Sequence, residues 1–495
     1  MRITNKMMTN NVMYNINNNK NLLSTLENQY STGKKIQKPS DDPIVAVRAL
    51  KLRSNLSELT QYVEKNIPDA FAWMDTTEGS LGVVNDILRQ MNTYCNQGAN
   101  DPLTAKDRNS IVTNLEELKQ QIYQEGNSNY AGRYVFSGYK TDTPIVFETA
   151  TTEYSYEITE PRCGKDITVE SKVVNNVDLS QFDKAHPELF PDVMPNQIQV
   201  YRMRLAYSKL EPGASVEYTD GSKDADGELV YQPLTITEKS LKDADAYTPA
   251  DDETYLIPET GELIFGKDAY EAVRNSESIK IDYTKNSFEV NELRPEHYFD
   301  CVRTNSDGSE VLNYKKEDQQ IQYEVNFNQK LTINTQGDAV FTHDIGRAMD
   351  DIINAVNDVQ ETETKIADVD KMLEDTNLTE LQRKTLERIK EQLESEFTLR
   401  TDIMQEAFAG GLTDTSEMQD NVNVAVSDLG GRYNRLQMTQ SRLKDQEVDF
   451  EDLLSTNEDA DLVDTIIKYS SAETIYNSSL NAASKLVQSS LLDFL

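Results

Sequence analysis

Chemically reactive side chains are scarce in this sequence. Its 495 residues include 3 cysteines, 3 histidines and 1 tryptophan. Cys95, Cys163 and Cys301 form no CxxC pair, and His186, His297 and His343 are scattered. That excludes a zinc site of the usual spacing and a disulfide framework. Nucleophilic catalysis lacks its usual base, and HExxH, GxSxG and GxGxxG are absent. No run of 18 apolar residues reads as a membrane span. The first twenty residues hold seven Asn and no apolar core of a signal peptide, so the expectation is a cytosolic protein or one exported without a cleaved signal. Positive charge is short as well: 49 Lys and Arg face 85 Asp and Glu, a net −36. This balance argues against nucleic acid, which needs a basic footprint, and against an anionic membrane surface. Such a chain needs a specific surface in order to assemble.

What the sequence does have is periodicity. Residues 1–130 are helical in period, 131–340 read as strands and turns, and 341–495 are helical again. The fold class expected is mainly α with a β-rich insert, the N- and C-terminal helices forming a coiled coil or helical bundle and the insert projecting outward. Val12, Ile16, Asn19, Leu23, Leu26 and Tyr30 follow a heptad spacing, as do Leu462, Ile466, Tyr469, Tyr476, Leu480, Ala483 and Val487 near the other end. A narrow apolar stripe of this kind needs a partner helix, and Asn19 on it sets register at a cost in stability. A third stripe runs through Ile67, Ala70, Met74, Thr77, Leu81, Val84, Leu88, Met91 and Cys95. Trp73, beside Met74, reads as a packing residue.

The two ends differ in sign. Residues 1–38 are basic, with Arg2, Lys6, Lys20, Lys34, Lys35 and Lys38 against Glu27, whereas 456–495 are acidic. Pairing of the first helix with the last is the natural inference. Asn is a weak helix former, so both tails are expected to be disordered in the monomer and to fold on assembly.

Punctuation sets the boundaries. Gly33 can take the left-handed position that ends the first helix, and Ser40 reads as the cap of the next, with Asp41, Asp42 and Pro43 in its first turn. Thr104 with Asp107 opens a helix bearing Ile111, Leu115, Leu118 and Ile122. Asn377 with Glu380 opens another, which Gly410-Gly411 is expected to end. The expected segments are an assembly helix at 1–38, the N-terminal half of a helical core at 39–148 and a β-rich outer domain at 149–340. The C-terminal half of the core follows at 341–457, with an extra helical hairpin near 365–412, and a second assembly helix at 458–495. The middle carries about half of the net negative charge and most of the turn pairs, Asp220-Gly221, Asp226-Gly227 and Asp307-Gly308 among them. Gly261 to Gly266-Lys267-Asp268 falls one residue short of a phosphate-binding loop and lacks its hydroxyl. No catalytic, cofactor-binding or metal residues emerge, and the chain reads as a non-enzyme.

Several strings together resemble the bacterial flagellin superfamily. They are Ser31-Thr-Gly33-Lys-Lys-Ile-Gln-Lys-Pro39-Ser40-Asp41-Asp42-Pro43, Gly132-Arg-Tyr-Val-Phe-Ser-Gly138 with Asp142-Thr-Pro144, and Arg432-Tyr-Asn434-Arg435-Leu436. The opening Met1-Arg-Ile-Thr4, the run Pro43-Ile-Val-Ala-Val-Arg-Ala-Leu50 and the ending Ser489-Ser-Leu-Leu-Asp-Phe-Leu495 are closer to one branch, the flagellar hook-associated protein 3 family. The resemblance covers about 1–148 and 415–495. It implies a protein of the hook–filament junction, extracellular on the bacterial flagellum, that sits on hook-associated protein 1, forms a ring with copies of itself and presents a surface on which flagellin polymerises. It also implies unfolded export through the flagellar type III apparatus, with a chaperone on the C-terminal segment. The alternatives are a minor flagellin, which would polymerise by itself, and a filament-displayed binding or adhesive module in 149–340.

Overall fold

A computed structural model describes residues 5–99, 104–223 and 229–492. The starting Arg2 and Thr4, the Asp226-Gly227 turn and the last residues, 493–495, lie outside the described residues, as does the side chain of Val487. The helices are α1 (Asn5–Thr32), α2 (Pro43–Gln61), α3 (Ile67–Ala99), α4 (Ala105–Glu125), α5 (Lys267–Val273), α6 (Pro295–Tyr298), α7 (His343–Leu373), α8 (Glu380–Glu458) and α9 (Leu462–Leu492). Long helices therefore occupy both ends, and a β-rich region lies between them.

The chain divides into two compact units. The first comprises Met1–Ala70, Tyr323–Leu331 and Asn434–Leu495. Here α1 and α9 pack along each other, and α2 lies beside the C-terminal part of α8. A π-helical turn, Tyr62–Asn66, joins α2 to α3. A β-hairpin of Gln322–Asn326 and Gln329–Thr332 packs at this turn: Phe327 meets the Tyr62 ring edge-on at 5.6 Å, and Asn66 donates to the Glu324 carbonyl at 2.9 Å. A π turn widens the helix locally and exposes backbone and side chains to a neighbour.

The second unit comprises Phe71–Gln322 and Thr332–Tyr433. The α3 stripe is buried along its whole length, from Met74 to Cys95. Ile111, Leu115, Leu118 and Ile122 of α4 are buried as well, and α4 packs on α7. Thr104 caps α4 by accepting from Asp107 N at 3.3 Å. Gly410-Gly411 does not end a helix: α8 runs unbroken from Glu380 to Glu458. Glycine permits a left-handed stop without forcing one. At Gly411 the missing side chain instead makes room for neighbours, since a Cβ there would lie 2.5 Å from Ile352 Cδ1 and 3.2 Å from Cys95 Sγ. The expected helical hairpin is thus α7 turning into α8, and loop residues Val177 and Phe190 complete its small core with Val369, Leu386, Ile389 and Leu393.

The β-rich region holds two sheets. A five-stranded sheet has the order 167–174, 196–204, 262–265, 254–257, 236–238, antiparallel except for its last, parallel pair. A six-stranded antiparallel sheet has the order 311–314, 300–305, 154–162, 279–285, 215–218, 232–234. Their shared core includes Tyr156, Met203, Tyr207, Leu263, Ile281 and Phe288. Charge ties the smaller sheet to α7: Arg202 reaches Asp351 at 3.1 Å and Glu262 at 3.0 Å. Burial works against a charged Glu262, but Lys172, Arg202 and Arg204 beside it hold the carboxyl far below its ordinary range. The near-phosphate-loop string spans a turn at Gly261, a strand and the start of α5, so it forms a hairpin edge.

Candidate assembly surface

The first unit carries most of the residues singled out from the sequence. Along α1, Ile16 and Leu26 are buried and Val12, Asn19 and Leu23 half-buried, whereas Tyr30 is exposed. Asn19 Nδ2 donates to Ser479 Oγ at 3.2 Å, a polar tie across the helix pair. On α9 the least exposed side chains are Thr465, Tyr469, Ala472, Tyr476, Ser479 and Ala483. Tyr469, Tyr476 and Ala483 thus fall on the same side as the contact with α1, but Leu462, Ile466 and Leu480 are exposed. Thr465, Ala472, Ser479 and Ala483 are small, which lets the two helices approach closely between the tyrosines. Met13, Tyr14 and Leu22 of α1 are likewise exposed. The pair therefore shows water an apolar exterior that a lone soluble helix pair would not carry.

The segment after α1 pairs with the segment between α8 and α9. Gly33 takes a left-handed φ of +69°, its N–H bonds to the Gln29 carbonyl, and its own carbonyl accepts from Ala460 N at 2.8 Å. Lys35 N donates to the Glu458 carbonyl at 2.6 Å. Lys34 Nζ lies 2.5 Å from Asp459 Oδ1 and 3.5 Å from Glu458 Oε2, and Arg53 Nη2 lies 2.5 Å from that same oxygen. Hydrogen bonds from Lys34 and Ser455 hold the Asp459 carboxyl below its usual range.

The signature residues shape the turn into α2. The cap is Asp42 rather than Ser40, with Oδ1 accepting from Ile44 N at 3.0 Å and Val45 N at 3.2 Å. Pro43 at the first helical position restricts the preceding residue to extended backbone, which is the conformation a cap needs. Asp41 folds back to accept from Gln37 N and Lys38 N, and those backbone bonds lower its pKa. Pro39 and Ser40 are exposed. Asn434 and Arg435 are exposed on α8, and Leu436 is buried. Sequence reasoning missed Arg53, Glu458 and Asp461; the last caps α9 by accepting from Val463 N at 2.9 Å, and an Asp just before an apolar helical run was the available signal.

His186 is exposed beside Glu188, while His297 and His343 are half-buried. Among the described residues no group of three or more His, Cys, Asp or Glu could hold a metal ion, and no helix is long and apolar enough to cross a membrane.

Known proteins match part of this chain. Residues 3–141 match the bacterial flagellin N-terminal helical region. The flagellar hook-associated protein 3 of Salmonella typhimurium is 33% identical over 157 residues, 31% of this chain and 48% of that protein. A flagellin of Clostridium tyrobutyricum is 30% identical over 128 residues, 26% of this chain and 34% of its own. A solved structure of flagellar hook-associated protein 3 from Legionella pneumophila is 12% identical, with 82% of this chain and 97% of that one covered at a TM-score of 0.29. The matched stretch thus spans about half the length, or less, of the curated relatives.

The match to the bacterial flagellin N-terminal helical region covers the helical start of the chain, and a β-rich middle and a long helical C-terminal part follow it. Part of the chain is similar to flagellar hook-associated protein 3 and to flagellin. Its relatives are structural components of the flagellum.

Proposed function

We propose that this chain is a non-enzymatic junction protein of the bacterial flagellum, an adaptor between the hook and the flagellin filament. The observation that carries the reading is the match to hook-associated protein 3, and the apolar exterior of the α1–α9 pair supports it. In this reading α1 and α9 form a coiled coil that neighbouring subunits cover, and the β-rich domain lies outermost. The protein is exported without a cleaved signal, with a chaperone on its C-terminal segment, and acts outside the cell. It forms a ring on hook-associated protein 1 and offers flagellin a surface to grow on. Its mechanism is coupled folding and assembly, in which burial of outward side chains against neighbours supplies the free energy that each tail lacks alone.

The match to a flagellin favours a second reading, a minor filament subunit. Seeded polymerisation separates the two. The purified protein is driven with precipitating salt, alone and on isolated hooks carrying hook-associated protein 1, and viewed by electron microscopy. A short zone added to hooks, from which flagellin then grows, is the expected result; long filaments formed alone would make it a flagellin.

A further inference from the structure

The first half of helix α2 turns large aliphatics outward. The helix buries Ala46, Ala49 and Leu59, while three large aliphatics of its first half face water: Ile44 is 75% exposed, Val47 57% and Leu50 61%. The inner side is fixed by contacts with the end of α8: the Val45 carbonyl accepts from Asn457 Nδ2 at 3.2 Å, Arg53 meets Glu458, and Thr60 Oγ1 donates to Glu447 at 2.8 Å. Ile44, Val47 and Leu50 lie outside these contacts and are exposed. Arg48 and Lys51 stand among the exposed aliphatics, and among the described residues neither makes an ion pair.

The end of α8 presents the opposite charge. Leu443, Glu447, Leu454 and Asn457 form its inner side. Away from them lie Asp445, Val448, Asp449 and Asp452, all exposed, with Val448 at 57%. Asp445, Asp449 and Asp452 have no ion-pair partner among the described residues either. The two helices thus make a slab with an apolar, basic stripe on one side and a partly apolar, acidic stripe on the other.

We propose that these stripes are the two halves of one heterologous interface, the α2 face of one copy docking on the α8 face of the next. Faces that differ in sign and lie on opposite sides cannot pair with themselves; they pair head to tail, which generates a closed ring or an open helix. Charge complementarity names the occupant as a second copy of this chain, because like stripes repel and unlike stripes steer together. The interface rests on the reading above that the chain works as an assembled subunit, and it adds the residues and polarity of the lateral contact.

Two variants of the full chain test it. R48E/K51E makes both faces acidic, and D445K/D449K/D452K makes both basic. All substitutions are on the surface, so circular dichroism and melting should match the parent. Sedimentation velocity at low ionic strength should show self-association weakened about tenfold or more in each variant alone. An equal mixture should regain the parent's association, since each variant then finds its opposite on both sides. Parent-like association of either variant alone, absence of rescue in the mixture, or a parent that stays monomeric throughout would each overturn the proposal. Flagellin growth on seeded hooks is scored separately, so failure of the lateral contact and failure of the junction reading give different results.

Discussion

Arg53 Nη2 lies 2.5 Å from Glu458 Oε2, joining the middle of α2 to the last residue of α8 across 405 positions of sequence. The Glu458 side chain is only 4% exposed, and among the described residues its other cation is Lys34, at 3.5 Å. The arginine is half in water, which screens the pair and limits its worth. Arg53→Ala leaves a buried carboxylate with a single distant partner, and we expect it to cost about 1–2 kcal/mol. Hydrogen exchange should speed up across 33–42 and 456–461, where the two connecting segments bond to each other. Unchanged protection there would show that the backbone pairing holds without the ion pair.

Adjacent glycines on α8 should respond in opposite directions. A side chain at Gly410 meets nothing within 4 Å, so Gly410→Ala should gain stability by about 0.5–1 kcal/mol through helix propensity and a less free unfolded chain. Gly411 faces Ile352 and Cys95 within contact distance, and Gly411→Ala should lose about 1–3 kcal/mol through overpacking. Equal effects in denaturant titration would mean that the helix crossing can relax.

Those glycines also show where a linear reading stops. Gly33 and Gly411 look alike in sequence, yet one adopts φ +69° at a helix end and the other fits a crossing contact. The α3 stripe was legible because its large apolar residues and its buried face coincide. On α9 they do not: Tyr469, Tyr476 and small residues are the least exposed while Leu462, Ile466 and Leu480 face out, so apolarity pointed to the outer side as well as the inner one. The cap at Asp42 was within reach, since the residue before Pro43 is the one held extended. Sheet order was not, because strand 154–162 pairs with 279–285 and 300–305, partners more than a hundred positions away. The Arg53–Glu458 pair was hidden for the same reason.

The second unit should weaken in mild acid. His343, half-buried, packs on Tyr207 at 4.7 Å and Tyr298 at 5.0 Å, and desolvation together with Arg162, Arg347 and Lys316 keeps its pKa well below the ordinary value. Burial is also the main cause that lowers His297 to about 4. Both bind their proton less readily when folded, so the unfolded chain takes up protons first. Stability is therefore full above pH ~6.5 and is lost as pH falls toward 4, by about 2 kcal/mol at pH 5 from His297 alone. Melts at pH 7.5 and 5 should show the decline, and His343→Phe, which keeps a ring among the aromatics, should flatten it. A slope unchanged by that substitution would put the acid sensitivity elsewhere.

Leu480 separates packing within the α1–α9 pair from packing outside it. It is 42% exposed and lies next to Ser479, whose hydroxyl accepts from Asn19 on the contact side. Leu480→Asp should therefore leave melting of the isolated protein within about 0.5 kcal/mol of the parent, as surface changes usually do. In an assembled state the same position meets a neighbour, where an unpaired carboxylate has to be desolvated. Addition to hooks carrying hook-associated protein 1 should then be lost, as counted by electron microscopy after flagellin is supplied. If the variant adds to hooks as the parent does, the outward apolar face of α9 is not an assembly surface. If it unfolds the isolated chain instead, Leu480 packs within the monomer and the apolar exterior of the helix pair has been misassigned.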